Sequence, residues 1–172
     1  MEKLALRNIF ARMVASRDDT RVSEAASTQG TTVLIVDDSR TAVHALQRTL
    51  VQAGYLTLTA ADGAQAVALV RQHRPDLVLM DIVMPVMNGF EATRALALDP
   101  DTVAVPVILI SGTEQATERI WGTRLGAKGF LAKPIAREDL LATVNRAITA
   151  ARRARERQHP VAAAPSPDAL RR

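Results

Sequence analysis

The amino-acid sequence predicts a doubly wound α/β domain built on a five-stranded parallel sheet. Two observations carry that expectation. Three short runs, VLIV at 33–36, LVLM at 77–80 and VILI at 107–110, are apolar at consecutive positions. Strands covered by helices on both faces show this pattern, whereas a strand with one wet face alternates. Further, five short β-branched or apolar runs alternate with longer stretches of helical periodicity. Such alternation implies right-handed crossovers and helices on both sides of one sheet.

The elements follow in order. Residues 2–15 place Leu6, Ile9, Phe10 and Met13 on one stripe of an amphipathic helix. Residues 16–30 are polar and aperiodic, as a linker is. The first strand is predicted over Thr32–Val36, and a helix over Ser39–Ala53, with Ser39 as N-cap and Gly54 just past the end. Leu56–Ala60 is the second strand. Asp62 opens the second helix, which must stop before Pro75 because proline disfavours helical backbone in the residue ahead of it. Asp76–Met80 is the third strand, and Asn88–Leu98 the third helix, ended by Pro100. Val107–Ile110 is followed by a helix over Glu114–Leu125, with Gly126 beyond it. Gly129–Leu131 is the last strand. A fifth helix runs from Arg137 to about Arg155, with Leu141, Val144 and Ile148 on one face. From 158 onward the chain is rich in Ala and Pro, a composition predicted to be disordered. The predicted organisation is residues 1–30 as helix plus linker, 31–152 as one domain, and 153–172 as helix extension and tail.

Bulk properties limit the function. With 172 residues, 48% of them hydrophobic, the chain can build one ordinary domain plus tails. It has no cysteine, which excludes disulfides, thiolate metal sites and a cysteine nucleophile. No apolar run approaches the roughly 18 residues of a spanning helix. The N-terminus mixes charges with apolar residues, unlike a signal peptide, so the expected location is cytoplasmic. The net charge of +4 sits in the tails. Residues 1–21 contribute +2 and residues 146–172 contribute +5, leaving the middle at −3. A base-reading domain carries its basic charge on a folded face, so sequence-specific nucleic-acid binding is not expected.

In parallel sheets of this kind, ligands bind beyond the carboxyl ends of the strands. The residues at those ends are Asp37 and Asp38 after strand one, Asp81 after strand three, Ser111 after strand four, and Lys133 followed by Pro134 after strand five. Clustered carboxylates repel by about 4 kcal/mol per pair at an effective dielectric near 20, and stay ionised only if a cation joins them. Oxygen-only ligands with room for water suit Mg²⁺ or Mn²⁺. A carboxylate beside such an ion and a lysine ammonium can attack phosphorus, with Lys133 neutralising the transferring oxygens and Ser111 donating a hydrogen bond to one of them. The product is an acyl phosphate on Asp81.

The stretches VLIVDDSR, LVLMDIVMPVMNG, VILISG and GAKGFLAKP resemble the receiver domains of two-component response regulators, CheY-like in fold. The likeness runs from about residue 32 to 150, roughly seven-tenths of the chain. It implies a flavodoxin-like strand order, 2-1-3-4-5, which the general description of this fold already gives. It also implies that Asp81 is the phosphoacceptor, that Asp37 and Asp38 with the Val83 backbone carbonyl hold the metal, that Ser111 is the switch hydroxyl, that Lys133 pairs with the phosphoryl group, and that Phe130 is the rotating aromatic. The Lys133–Pro134 peptide is expected to be cis. A narrower resemblance, carried by DIVMPVMNGFEATR and IWGTRLGAKGFLAKP with its Trp121-Gly122 pair, is to the single-domain, PilH-like regulators of type IV pilus twitching motility. The implied partners are a histidine kinase as donor and a protein effector on the face of helix four, strand five and helix five. The chain would then be a signalling receiver that catalyses its own phosphorylation and acyl-phosphate hydrolysis, not an enzyme in the usual sense. An alternative is a phosphate sink for the kinase.

Departures from the family pattern matter. Phe130 lacks the hydroxyl of the commoner tyrosine. Val83 is apolar where some relatives have asparagine, and Thr113 follows Ser111 by two, positions that modulate acyl-phosphate lifetime. Two other classes fit poorly. An aspartyl-phosphate phosphatase enzyme wants a second Asp two residues after its nucleophile, where Val83 stands. A nucleotide or flavin module wants a Gly- or hydroxyl-rich loop after strand one, where Asp37 and Asp38 would repel phosphate.

His44 and His73 fall on helices one and two and read as surface residues, since a histidine relay domain is a helical bundle. His159 lies in the tail and carries no signal. Trp121 reads as a packing or partner-facing residue and, with Phe130, as the first place to seek an interface. The N-terminal helix has three readings: packing on its own domain, docking to a partner or second copy, or lying on a membrane surface.

Overall fold

The computed structural model describes residues 30–112 and 116–158. Five strands, β1 (Thr32–Val36), β2 (Leu56–Ala60), β3 (Leu77–Asp81), β4 (Val107–Ser111) and β5 (Gly129–Ala132), pair in parallel as one sheet in the order β2-β1-β3-β4-β5. Between and after them run α1 (Arg40–Gln52), α2 (Gly63–His73), α3 (Gly89–Leu98), α4 (Ala116–Arg124) and α5 (Arg137–Gln158). The predicted strand order and alternation are those observed.

Both faces of the sheet are covered, which is why the central runs are apolar throughout. Side chains alternate across a strand, so Leu34, Val36, Val78, Met80, Val107 and Leu109 join one core with Ala66, Val67, Ala92 and Leu96 of α2 and α3. The intervening residues Val33, Ile35, Leu77, Leu79, Ile108 and Ile110 join a second core with Leu46, Leu50, Leu140, Val144 and Ile148 of α1 and α5. β3 and β4 are buried over their whole length. The second core holds one polar handle: the hydroxyl of buried Tyr55 donates to Asn145 Oδ1 at 3.0 Å, tying the turn after α1 to α5.

Ser39 and Asp62 begin their helices as predicted, and Asn88, predicted as the first residue of the third helix, is its N-cap. Ser39, Asp62 and Asn88 each accept a backbone N–H from the first turn of α1, α2 and α3. At α3 the pairing is reciprocal, because Glu91 Oε2 also accepts the Asn88 N–H at 3.0 Å. Arg74 takes a left-handed φ of 48° just ahead of Pro75, and Gly54 and Gly126 have φ of 90° and 110° beyond α1 and α4.

Several boundaries differ from expectation. β3 starts at Leu77, and Asp76 just ahead of it is tied to β1 twice: its carboxylate accepts the Thr32 N–H at 2.9 Å, and its own N–H donates to the Thr32 carbonyl at 2.8 Å. β3, β4 and β5 each run one residue further, to Asp81, Ser111 and Ala132. α5 continues to Gln158. Residues 1–29, with the predicted N-terminal helix and linker, residues 113–115, with Thr113 and the predicted helix start at Glu114, and the tail with His159 lie outside the described residues. Among the described residues no helix is long and apolar enough to cross a membrane.

Candidate functional site

The carboxyl ends of β1, β3, β4 and β5 bring four of the predicted residues to one rim. Asp81 is the last residue of β3, Ser111 the last of β4, Asp37 follows β1, and Lys133 follows β5. Neighbours in the parallel ladder set this convergence: Val36 pairs with Met80, Asp81 with Ile110, and Ser111 with Ala132. Together with Asp38, Val83 and Glu118 these residues line a cavity of about 300 Å³. A larger groove of about 690 Å³, lined by Ile108, Phe130, Arg146 and Ala150 among others, contains none of the rim residues.

Lys133 Nζ lies 2.6 Å from Asp81 Oδ1 and 2.9 Å from Asp37 Oδ2. The two carboxylates are almost fully buried, while the lysine keeps about a third of its side chain in solvent. Their remaining oxygens are also engaged. Asp81 Oδ2 accepts the Val83 N–H at 3.0 Å, and Asp37 Oδ1 accepts the Ser39 N–H at 2.8 Å. These bonds fix both side chains by backbone that the strands and the start of α1 hold in place. Asp38 is exposed, yet its carboxylate lies with those of Asp37 and Asp81, one oxygen of each falling within 4.8 Å of the others.

Two buried carboxylates share one ammonium, and the directions in which Asp81 and Lys133 are shifted follow from it. Burial pushes the Asp81 carboxyl above its ordinary value and the charge of Asp37 adds to this; the hydrogen bond and charge of Lys133 and the Val83 N–H oppose it without prevailing. For Lys133, burial works against the ammonium, but the hydrogen bonds and charges of Asp81 and Asp37 outweigh it and hold the group above the usual lysine value. The site is thus short of positive charge. Its donors are hard oxygens with no nitrogen or sulfur ligand, a set that suits a small divalent cation such as Mg²⁺.

The other predicted residues are placed as follows. Ser111 is buried, and its hydroxyl donates to the carboxylate of Glu118 in α4. Val83 is exposed above the rim, and its backbone N–H already holds Asp81. The next residues of that loop turn sharply: Val86 has φ of 67° and Met87 N–H bonds to the Pro85 carbonyl at 2.8 Å. Phe130 is half-buried against the first core, below Gly122 of α4. Trp121 is exposed, with the Arg124 guanidinium 5.9 Å from its ring centroid. The Lys133–Pro134 peptide is cis. His44 and His73 are exposed, as expected. The residue that sequence reasoning missed is Glu118. The one available signal was an acidic residue in the first turn of a helix that starts soon after Ser111, which must hang over the strand ends.

Residues 33–145 match the response regulator receiver domain family, and the chain belongs to that family. It is a signalling receiver of the two-component kind. Protein PilH of Pseudomonas aeruginosa is 50% identical over 113 residues, a match covering 66% of this chain and 93% of PilH. Response regulator PleD of Caulobacter vibrioides is 41% identical over 103 residues, covering 60% of this chain but 23% of PleD, so that likeness is to one module of a longer protein. Among solved structures, chemotaxis response regulator CheY4 of Vibrio cholerae superposes with a TM-score of 0.65 at 36% identity, covering 68% of this chain and 98% of CheY4. The response regulator domain of Thermotoga maritima CheB gives 0.62 at 30% identity, covering 69% and 96%.

Proposed function

We propose that Asp81 accepts a phosphoryl group from a phosphohistidine on a sensor kinase, and that the phosphorylated chain signals by binding a protein effector. The observation that carries this reading is the single ammonium of Lys133 set between Asp81 and Asp37 at the carboxyl rim. An oxygen of Asp81 attacks phosphorus; the new P–O bond forms as the donor P–N bond breaks, and the imidazole nitrogen keeps the electron pair and takes a proton. Lys133 is already placed to pair with the charge that builds on the phosphoryl oxygens. Loss of the group is the reverse displacement by water, releasing inorganic phosphate and restoring the carboxylate. Asp37, Asp38, Asp81 and the Val83 carbonyl would hold Mg²⁺ or Mn²⁺, which when bound adds positive charge against the same oxygens.

Residues 31–152 form the receiver unit in this reading, with 1–30 and 153–172 appended to it, and its setting is cytoplasmic. The effector surface is the face of α4, β5 and α5, where exposed Trp121 and the Phe130-lined groove offer apolar area. The likeness to PilH supports a twitching-motility chemosensory system. Incubation with Mg²⁺ and a small acyl-phosphate donor, followed by intact mass, tests the acceptor. Wild type gains one phosphoryl group and Asp81→Ala gains none; equal gain by both would place the acceptor elsewhere.

The exposed Val83 side chain stands over the rim and governs how water approaches phosphorus. Val83→Asn is therefore expected to change the acyl-phosphate half-life, timed as loss of the added mass after donor removal. Identical decay would remove Val83 from this role.

A further inference from the structure

Glu118 sits in the first turn of α4, and its carboxylate accepts the hydrogen bond donated by Ser111 Oγ. Both residues line the cavity that holds Asp37, Asp81 and Lys133. A serine hydroxyl has one proton to donate. While that proton points at Glu118, it is withheld from any oxygen carried by Asp81. The two partners are held very differently. Ser111 ends a strand buried over its full length and laddered on both sides. Glu118 belongs to a helix of nine residues, of which Gly122 is the buried one. If one of the pair must move, it is Glu118. A phosphoryl group would also bring about two negative charges into a cavity that Asp37, Asp38 and Glu118 already line.

Resting on the reading of Asp81 as phosphoacceptor, we propose that Glu118 is a positioning residue for its phosphorylation. It holds the Ser111 hydroxyl away from Asp81 in the resting state and releases it when the phosphoryl group arrives.

The test follows phosphoryl gain over time by intact mass, with Mg²⁺ and acetyl phosphate, in wild type, Glu118→Ala, Ser111→Ala and the double variant. Hydrogen bonds to charged groups are strong enough that removing the Glu118 acceptor should speed the reaction by about tenfold in Glu118→Ala. That gain should shrink severalfold in the Ser111→Ala background, since partners in one contact are not additive. A general loosening of α4 would give the same gain in both backgrounds, and that outcome, or no gain at all, overturns the proposal. Glu118→Gln keeps the side-chain length and an acceptor oxygen, and should fall between wild type and Glu118→Ala; a rate below wild type counts against it. Failure of the acceptor reading looks different, because wild type would then gain no mass or Asp81→Ala would gain it too.

Discussion

Lys133→Ala is expected to slow phosphorylation by a small acyl-phosphate donor about 100-fold or more, and to destabilise the fold by about 2 kcal/mol without divalent cations. The kinetic effect is what removal of one preorganised charge-stabilising donor costs, roughly 10²–10³ in rate. The stability effect arises because Asp37 and Asp81, 3% and 6% exposed, lose their shared cation. Breaking a buried pair by removing one partner costs about 3–5 kcal/mol, and the partial exposure of Lys133 screens this to about 2. For a domain of this size that is about 8 °C in Tm. Mg²⁺ should recover more of the melting temperature in the variant than in wild type, since it replaces the missing charge.

The pH dependence has a definite sign. Lys133 is held above its unfolded value of 10.5, so the stability it contributes is fully present below that pH and is lost as pH rises through the folded value. Asp81 is also held above its unfolded value, 3.8. The folded state therefore binds this proton more tightly, and ionising Asp81 on raising the pH weakens the fold. Removing Lys133 exaggerates that second effect, so the deficit of the variant should be smaller at pH 5 than at pH 8. Thermal melts at both values, with and without Mg²⁺, decide it. Wild-type melting at every condition would mean that the ammonium does not hold these carboxylates together.

Much of this arrangement is legible in the residues, for identifiable reasons. The fully apolar runs read correctly because β1, β3 and β4 are covered on both faces, and Ser39, Asp62 and Asn88 read as helix starts because their side chains have no better use than the free N–H groups of a first turn. The site was legible because its residues end strands, and strand ends converge by topology alone. Misreadings gather at element ends. Asp76 looks like the first residue of a strand, and both its N–H and its carboxylate do bond Thr32 of β1, but the regular ladder begins one residue later at Leu77. Glu118 gave one weak signal, its place in the first turn of a helix soon after Ser111, and the sequence of that helix does not show which way it faces. In ATERIWGTR the apolar residues do not gather on one face, and Ile120 and Trp121 are both exposed, so the orientation of α4 over the rim is set by Gly122 packing on Phe130 and Leu109 rather than by a stripe.

Gly89→Ala is expected to cost about 3 kcal/mol of stability and to slow phosphorylation with it. Gly89 is the first residue of α3, and a Cβ there would lie 2.2 Å from the carbonyl oxygen of Asp81 and 3.0 Å from Ile82 Cα. These are backbone atoms at the strand end that carries the acceptor, so they cannot rotate aside as a side-chain tip can. Retreat of α3 is resisted by the bond from the Gly89 N–H to the Ile82 carbonyl at 2.9 Å, which ties the helix start to the end of β3. Overpacking costs about 1–3 kcal/mol, and a backbone obstacle puts this case at the upper end. Because Asp81 supplies both the clashing carbonyl and the reacting carboxylate, relief of the clash shifts the acceptor relative to Lys133. Gly122→Ala meets Phe130 Cζ and Leu109 Cδ1 instead, at 2.3 and 2.6 Å, side-chain ends able to yield, and should cost less. Gly112→Ala meets no described atom within 4 Å and should stay within about 0.5 kcal/mol of wild type. Urea denaturation and phosphoryl gain measured on all three variants separate these cases. If Gly89→Ala matched Gly112→Ala in both, the start of α3 would not be what fixes Asp81 in place.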